Sequence, residues 1–118
     1  MYRRVELTAF GGPEKLVIKR ETALPEPGVG ELRVKVLAAG TGFTDTIIRQ
    51  GQYVGVKEKP PFTPGYDWFG VVDAVGDGVS DFAVGDAVIV TSYDLGMNTA
   101  GGLAQYIRVP AAWAVPLP

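Results

Sequence analysis

Glycine and proline punctuate this chain from end to end, and their spacing limits the fold more than any other feature of the sequence. The 118 residues include 16 glycines and 9 prolines, which are spread over the whole length and do not gather into a linker. Glycine and proline are the residues that tight turns favour. The pattern therefore predicts one domain of many short strands joined by tight turns, as in a barrel or a sandwich.

Alternation of apolar and polar side chains predicts the individual strands. The clearest strand is 31–39, where Leu32, Val34, Val36 and Ala38 are expected to face one way. Other strands are predicted over residues 4–10, 15–20, 69–75, 87–91 and 103–109, with a last one beginning at Trp113. Glycine-aspartate turns at 76–78 and 85–86 separate them.

One segment changes from this strand pattern to a helical one. Residues 44–50 are compatible with two turns of helix, for which Thr44 or Thr41 could be the N-cap. Asp45 would lie at the positive end of the helix dipole and Gly51 would follow the last turn. The fold class predicted from the residues is mostly β with one or two short helices.

The composition excludes several kinds of chemistry. The chain contains no cysteine and no histidine, which rules out thiolate nucleophiles and the two commonest zinc ligands. The net charge of −2 and the scattered basic residues argue against nucleic acid as a partner. The apolar stretches are only strand-length and an acid follows early at Glu6, so we expect no membrane span, no signal peptide and a cytoplasmic location.

Residues 76–78, Gly-Asp-Gly, superficially resemble the start of a dinucleotide-binding fingerprint. That motif requires a helix immediately afterwards, with its N-terminus directed at a pyrophosphate. Here residues 82–86 form a second turn signal before another strand, and the third glycine is missing. A tight turn is the better interpretation.

A different stretch is more informative. Residues 64–76, PGYDWFGVVDAVG, followed by Gly-Asp-Ala-Val at 85–88, resemble the signature of the medium-chain dehydrogenase/reductase superfamily. Segments 11–16, 25–34, 43–53 and 101–106 match other family motifs in order, so the resemblance covers essentially the whole chain. It implies the GroES-like barrel that forms the substrate side of these enzymes.

Departures from the family pattern narrow the resemblance. The zinc alcohol dehydrogenases of the superfamily have a cysteine where this chain has Gly42, and a His-Glu pair where it has Tyr66 and Asp67. Residues 92–100 occupy the region of the four-cysteine structural zinc lobe. The chain therefore resembles the zinc-independent branch of quinone oxidoreductases and alkenal, enone and enoyl reductases, and segment 91–103 leans towards the acryloyl-CoA type. NADPH is the implied cofactor and no metal site is expected.

The resemblance also implies roles for particular residues. Tyr53 and Tyr66 are candidate hydroxyl donors to a substrate oxygen, and Asp67 would orient Tyr66 or a water. Thr44 and Asp45 match the place where the family's barrel touches the nicotinamide ribose. Purely structural roles remain open for Tyr53, Tyr66 and Asp45. Trp68, Phe69, Phe82 and Trp113 are expected in the core or an interface, and Arg49 and Lys57 on the surface, away from any cofactor phosphate.

Family members continue after the barrel into a Rossmann cofactor domain, and Pro118 falls close to that boundary. One hypothesis is that residues 1–118 are the substrate-side domain of a larger oxidoreductase, inactive when isolated. The alternative is a stand-alone GroES-like binding or assembly module without catalysis. The first predicts an exposed apolar face around Trp113 and the last prolines, whereas the second predicts a polar or self-associated surface.

Overall fold

A computed structural model describes residues 1–57, 59–91 and 100–118 of the chain. It contains seven strands in these residues: β1 (Tyr2–Leu7), β2 (Leu16–Glu21), β3 (Glu31–Ala39), β4 (Asp67–Val75), β5 (Ala87–Thr91), β6 (Tyr106–Pro110) and β7 (Ala114–Pro116). The single α-helix of the described part is α1 (Phe43–Arg49), and short 3₁₀ turns span Pro13–Lys15 and Ala111–Trp113. The predicted mostly β fold with one or two short helices is confirmed.

The strands form two antiparallel sheets. β1 and β2 make a hairpin, and the other five strands form a sheet in the order β6-β3-β4-β5-β7. Single bridges from Arg4 to Ala104 and from Leu7 to Phe62 join the hairpin to the rest of the domain. The predicted barrel is thus an open arrangement in the described residues, because β6 and β7 end the larger sheet without pairing to each other.

One face of the five-stranded sheet supplies the core. The strands contribute every second residue to it, as period-2 alternation requires. The buried cluster consists of Leu32, Val34, Trp68, Val72, Val88, Val90, Ile107 and Val109. Phe82 and Trp113 pack against this cluster, as expected of core aromatics. Phe69 instead lies on the opposite, outer face, where it pairs with Ile89.

The predicted alternation of β3 fails at its end. The register against β4 shifts between Val36 and Ala38, so that Ala38 pairs with Phe69 and Ala39 with the buried Trp68. Ala39 therefore packs against the core and Ala38 is exposed, contrary to the prediction. A bulge adds one residue to a strand and moves every later side chain to the other face.

The observed strand boundaries differ most from the predicted ones where a loop takes the place of predicted strand residues. β1 ends at Leu7 and not at residue 10, and β6 begins at Tyr106 and not at residue 103. Before β6, the backbone N–H groups of Gly102 and Leu103 donate to the carbonyl oxygens of Gly65 and Pro64 at 2.9 and 3.0 Å. This loop-to-loop pairing satisfies the backbone of 102–103 outside the sheet.

The centre of the sheet requires a glycine at position 70. A Cβ on Gly70 would overlap the carbonyl oxygen of Lys35 and lie 2.6 Å from Cγ1 of Val34, both on the neighbouring β3. Backbone atoms in a paired strand cannot move aside independently, so the two strands would have to separate.

We therefore expect Gly70→Ala to lower the free energy of unfolding by about 2–3 kcal/mol, measured by urea denaturation. Gly42→Ala is the matched control, because nothing lies within 4 Å of a Cβ built there and its φ is −157°. It should cost less than about 1 kcal/mol. Equal losses for the two variants would contradict a steric origin.

Candidate functional site

Helix α1 begins at a glycine and not at either predicted threonine. Gly42 is the N-cap, and Oδ2 of Asp45 accepts a hydrogen bond from its backbone N–H at 2.7 Å. The acidic side chain three residues into the helix thus supplies the capping interaction. The other end follows the prediction, because Gly51 follows the C-cap with a φ of +77°.

The last turn of α1 is attached to the loop after β1. Gly11 N–H donates to Arg49 O at 2.9 Å, and Arg49 Nε donates to Gly11 O at 3.0 Å. Ile48 from the same turn is 1% exposed. Arg49 is therefore half-buried and fixes the position of the helix, which corrects its assignment as a solvated surface charge. Lys57 is exposed, as predicted.

The Tyr66-Asp67 pair lies where the chain enters β4. Gly40 N–H donates to Asp67 O at 3.0 Å, which joins the end of β3 to the start of β4. The Asp67 carboxylate lies against the α-carbon of Gly40, since a Cβ there would be 2.8 Å from Oδ1. Tyr66 is half-buried and packs against the core cluster.

Asp67 lies close enough to Asp45 to affect the ionisation of the Asp45 carboxyl. Burial raises the pKa of the Asp45 carboxyl, and the negative charge of Asp67 raises it further, while the hydrogen bond from Gly42 opposes both effects. Oδ1 of Asp45 is also buried without a hydrogen-bond partner in the described residues. The folded chain therefore disfavours the ionised form of Asp45.

Two cavities flank segment 40–42. The first has a volume of about 410 Å³, and Asp45 lines it together with Thr41, Thr46, Arg49, Pro64 and Leu103. The second, of about 540 Å³, is more open and is lined by Gly40, Asp67, Phe69, Ile89 and Thr91 among others. The walls of both cavities are mainly apolar and each includes one carboxylate, as is typical of sites that bind small molecules.

Of the five predicted site residues, the structure brings Asp45 and Asp67 close to each other, and each lines one of the two cavities, whereas Thr44 and Tyr66 line neither. Thr44 and Asp45 share the first turn of α1, and Tyr66 precedes Asp67 at the start of β4. Tyr53 lies apart in a turn, where its carbonyl accepts from Val56 N–H at 3.1 Å, and it lines neither cavity.

Sequence reasoning missed Thr41, Arg49 and Leu103 as cavity residues. Thr46 directly follows Asp45, and Arg49 lies four residues beyond it. Residues four apart are neighbours on one face of a helix, so the predicted helix could have placed Arg49 beside Asp45. Leu103 comes from a distant loop, so no local signal identified it.

In the described part of the chain, no group of three or more His, Cys, Asp or Glu side chains is arranged to hold a metal ion. Residues 92–99, which match the zinc-lobe region and carry the resemblance to the acryloyl-CoA type, lie outside the described residues. Within those that are described, no helix is both long and apolar enough to cross a membrane.

The open antiparallel sheet, the helix beside it and the Tyr66-Asp67 pair are those of a known domain. Residues 28–118 match the family profile "Alcohol dehydrogenase GroES-like domain". The chain belongs to this family and is an N-terminal-type domain of the medium-chain dehydrogenase/reductase superfamily, as the sequence motifs predicted.

Individual relatives include quinone oxidoreductases and a VAT-1 homolog-like protein. The quinone oxidoreductase of Lama guanicoe is 40% identical over 106 residues, which are 90% of this chain and 30% of the relative. The human synaptic vesicle membrane protein VAT-1 homolog-like protein superposes with a TM-score of 0.86 at 34% identity, over 99% of this chain and 35% of that structure.

A third similar protein is Escherichia coli quinone oxidoreductase, whose structure was solved in complex with NADPH. It superposes with a TM-score of 0.81 at 30% identity, over 98% of this chain and 33% of that structure. The chain thus spans about a third of the length of the relatives it matches.

The raised pKa of Asp45 predicts how stability depends on pH. A carboxyl whose pKa is higher in the folded than in the unfolded state stabilises the fold below its unfolded pKa, about 3.9 for aspartate, and that contribution is lost as the pH rises through the folded pKa. In Asp45→Asn the side-chain amide oxygen can still accept the hydrogen bond from Gly42 N–H, but the side chain no longer ionises. The stability of this variant relative to the natural chain should therefore increase as the pH rises from about 4 through the folded-state pKa of Asp45, and then stay constant.

Urea unfolding at a series of pH values measures this difference. Asp81→Asn is the control, because Asp81 is exposed. It should give a smaller pH-dependent difference. A difference between Asp45→Asn and the natural chain that does not change with pH would contradict the raised pKa of Asp45.

Proposed function

We propose that this chain is the substrate-side domain of an NADPH-dependent, zinc-free oxidoreductase that reduces quinones or α,β-unsaturated carbonyls, with a cytoplasmic location. The observation that carries the proposal is the cluster at segment 40–42. Gly42 and Tyr66 occupy the positions that zinc alcohol dehydrogenases fill with metal ligands, yet Asp45 and Asp67 remain beside them. The similarity to quinone oxidoreductases supports the same branch.

The proposed chemistry requires hydrogen-bond donors at the substrate. A bound reduced nicotinamide supplies a hydride to quinones or to the β-carbon of an activated alkene. The Tyr66 hydroxyl, and Tyr53 if its turn lies against the substrate, would stabilise the negative charge on the substrate oxygen. Asp67 would orient Tyr66 or a water, and Thr44 and Asp45 would position the cofactor's ribose.

The cofactor's pyrophosphate has no place in the described part of this chain. Gly78, in the Gly-Asp-Gly sequence that superficially resembled a nucleotide fingerprint, has a φ of +83° in a turn, and β5 follows with no helix between them. A dinucleotide site needs a helix N-terminus at that point. We therefore assign NADPH binding to a Rossmann domain. The length of the relatives, about three times that of this chain, supports this assignment because it leaves room for such a domain.

An apolar surface supports the presence of such a partner domain. Ala38, Phe69, Ile89 and Val115 form a row across the outer face of the sheet through successive strand pairs. Ile89 is 41% and Val115 54% exposed. The row ends at Val115 and does not include Trp113, which packs on the core. A contiguous exposed apolar row favours a covered domain face over the stand-alone binding module.

The intact mass of the polypeptide from its native source separates the two hypotheses. A mass well above 12.5 kDa supports the domain of a larger oxidoreductase. A mass matching the 118-residue chain favours the stand-alone module, and binding partners would then be the subject to pursue.

We expect the isolated 118-residue chain to show no saturable NADPH oxidation with quinones or enones, because the proposal places the pyrophosphate site in a separate Rossmann domain. The assay monitors absorbance at the reduced nicotinamide band with each substrate class. Saturable turnover by the purified chain would contradict the assignment of NADPH binding to a separate Rossmann domain.

In the native polypeptide, Tyr66→Phe should lower kcat about 100-fold, the usual cost of losing one donor to a developing oxyanion. Tyr106→Phe is the matched control, because Tyr106 lies on β6 in an edge contact with Tyr2. It should leave kcat within about twofold. Retained activity in Tyr66→Phe would remove this residue from the proposed site, and Tyr53→Phe tests the second donor in the same way.

A further inference from the structure

The hairpin β1–β2 carries a charge opposite to that of the rest of the chain. Residues 2–21, which span the hairpin, contain five of the 11 Lys and Arg residues but only three of the 13 Asp and Glu residues. Each strand carries two adjacent basic residues, and adjacent side chains of a strand point to opposite faces. The hairpin register therefore places one basic pair on each face.

One face of the hairpin is electrically compensated. It holds Arg4 opposite Lys19, with Glu6 and Glu21 near them. Arg4 forms ion pairs with Glu21 at 3.0 Å and with Glu6 at 3.2 Å, and Lys19 lies 3.9 Å from Glu6. Two acids therefore neutralise the two basic residues, and Arg4 also donates to Thr63 at 3.2 Å.

The other face is not compensated. Arg3 pairs directly with Arg20 across the hairpin, both are exposed, and neither forms an ion pair in the described residues. Directly opposite residues of an antiparallel pair have Cβ atoms about 5 Å apart, and like charges at that separation destabilise the hairpin. The folded chain keeps this repulsion although uncharged side chains would satisfy the strand pattern equally well.

The backbone at this point is firmly placed. Arg3 N–H donates to Oε1 of Gln105 at 2.7 Å, and Gln105 N–H donates to Arg3 O at 2.9 Å. These two bonds fix the start of β1 against the loop before β6. Arg3 and Gln105 also line a shallow cavity of about 280 Å³ together with Ile18, which is 64% exposed.

We propose that Arg3 and Arg20 form a binding site for a phosphate-type oxyanion. Guanidinium groups bind phosphate through paired N–H donors, and a dianion between two of them would neutralise both charges and remove the repulsion. The ligand is a phosphate monoester or a phosphate headgroup. The site includes none of the residues of the candidate oxidoreductase site and does not depend on that function.

Titration of the native chain with inorganic phosphate at pH 7.5, at ionic strength held constant with chloride, tests the site by ¹H–¹⁵N NMR. We expect saturable shifts at Arg3, Arg20 and Gln105 with a Kd on the order of 1 mM. Arg20→Gln should weaken binding about tenfold, the loss of charge-assisted hydrogen bonds from one arginine.

Lys19→Gln is a matched control, since it removes the same charge one residue away on the opposite face. Lys19→Gln should change the Kd by less than about twofold, because binding depends on direct contact with Arg3 and Arg20 and only weakly on the net charge of the surface. Equal weakening by Arg20→Gln and Lys19→Gln, or an absence of saturable shifts at Arg3 and Arg20, would overturn the proposal.

The two sources of the ligand are distinguished with vesicles. Cosedimentation with phosphatidic acid vesicles that inorganic phosphate competes away, and that Arg20→Gln loses but Lys19→Gln keeps, assigns the site to a lipid headgroup. Saturable phosphate binding without vesicle binding assigns it to a small phosphate ester. Vesicle binding that is equal in both variants, without phosphate saturation, would show nonspecific attraction and overturn the site.

Discussion

The close pairing of β3 and β4 at the centre of the larger sheet is the contact on which the rest of the domain depends. Gly70 allows the two backbones to approach without a side chain between them, and four of the eight core residues come from these two strands. The pairing also determines where the chain leaves the sheet. The bulge near the end of β3 sends Ala39 inward and brings Gly40 against Asp67.

That exit point creates the candidate site. Segment 40–42 connects the end of β3 to α1, so the Asp67 carboxylate at the start of β4 and the Asp45 carboxylate in the first helical turn come to lie on either side of it. Burial raises the pKa of the Asp45 carboxyl, and the neighbouring negative charge of Asp67 raises it further. Such perturbed groups beside an apolar cavity are typical of functional sites. In this domain the helix cap and the site use the same carboxylate, because Asp45 also holds the N–H of Gly42.

Two other surfaces have features that the core does not explain. The outer face of the sheet presents an apolar row ending at Val115, which suits contact with another domain. The hairpin presents the uncompensated pair of Arg3 and Arg20. The domain thus has a compact core on one side of its sheet and several places of potential contact around it, consistent with a chain that covers about a third of its relatives.

The sequence by itself determined the fold class, the family and most of the strands, because period-2 alternation and glycine turns act over a few residues. It also predicted site roles for Thr44, Asp45, Tyr66 and Asp67 from short motifs, and of these Asp45 and Asp67 line the cavities. Only the tertiary structure decided that Gly42 caps the helix, that Ala38 faces outward, that Arg49 anchors α1 to Gly11 and that Tyr53 lies apart from the cavities. These outcomes depend on a bulge and on contacts between segments distant in sequence. Local patterns carry no information about such contacts, because their energies arise only when the chain has packed.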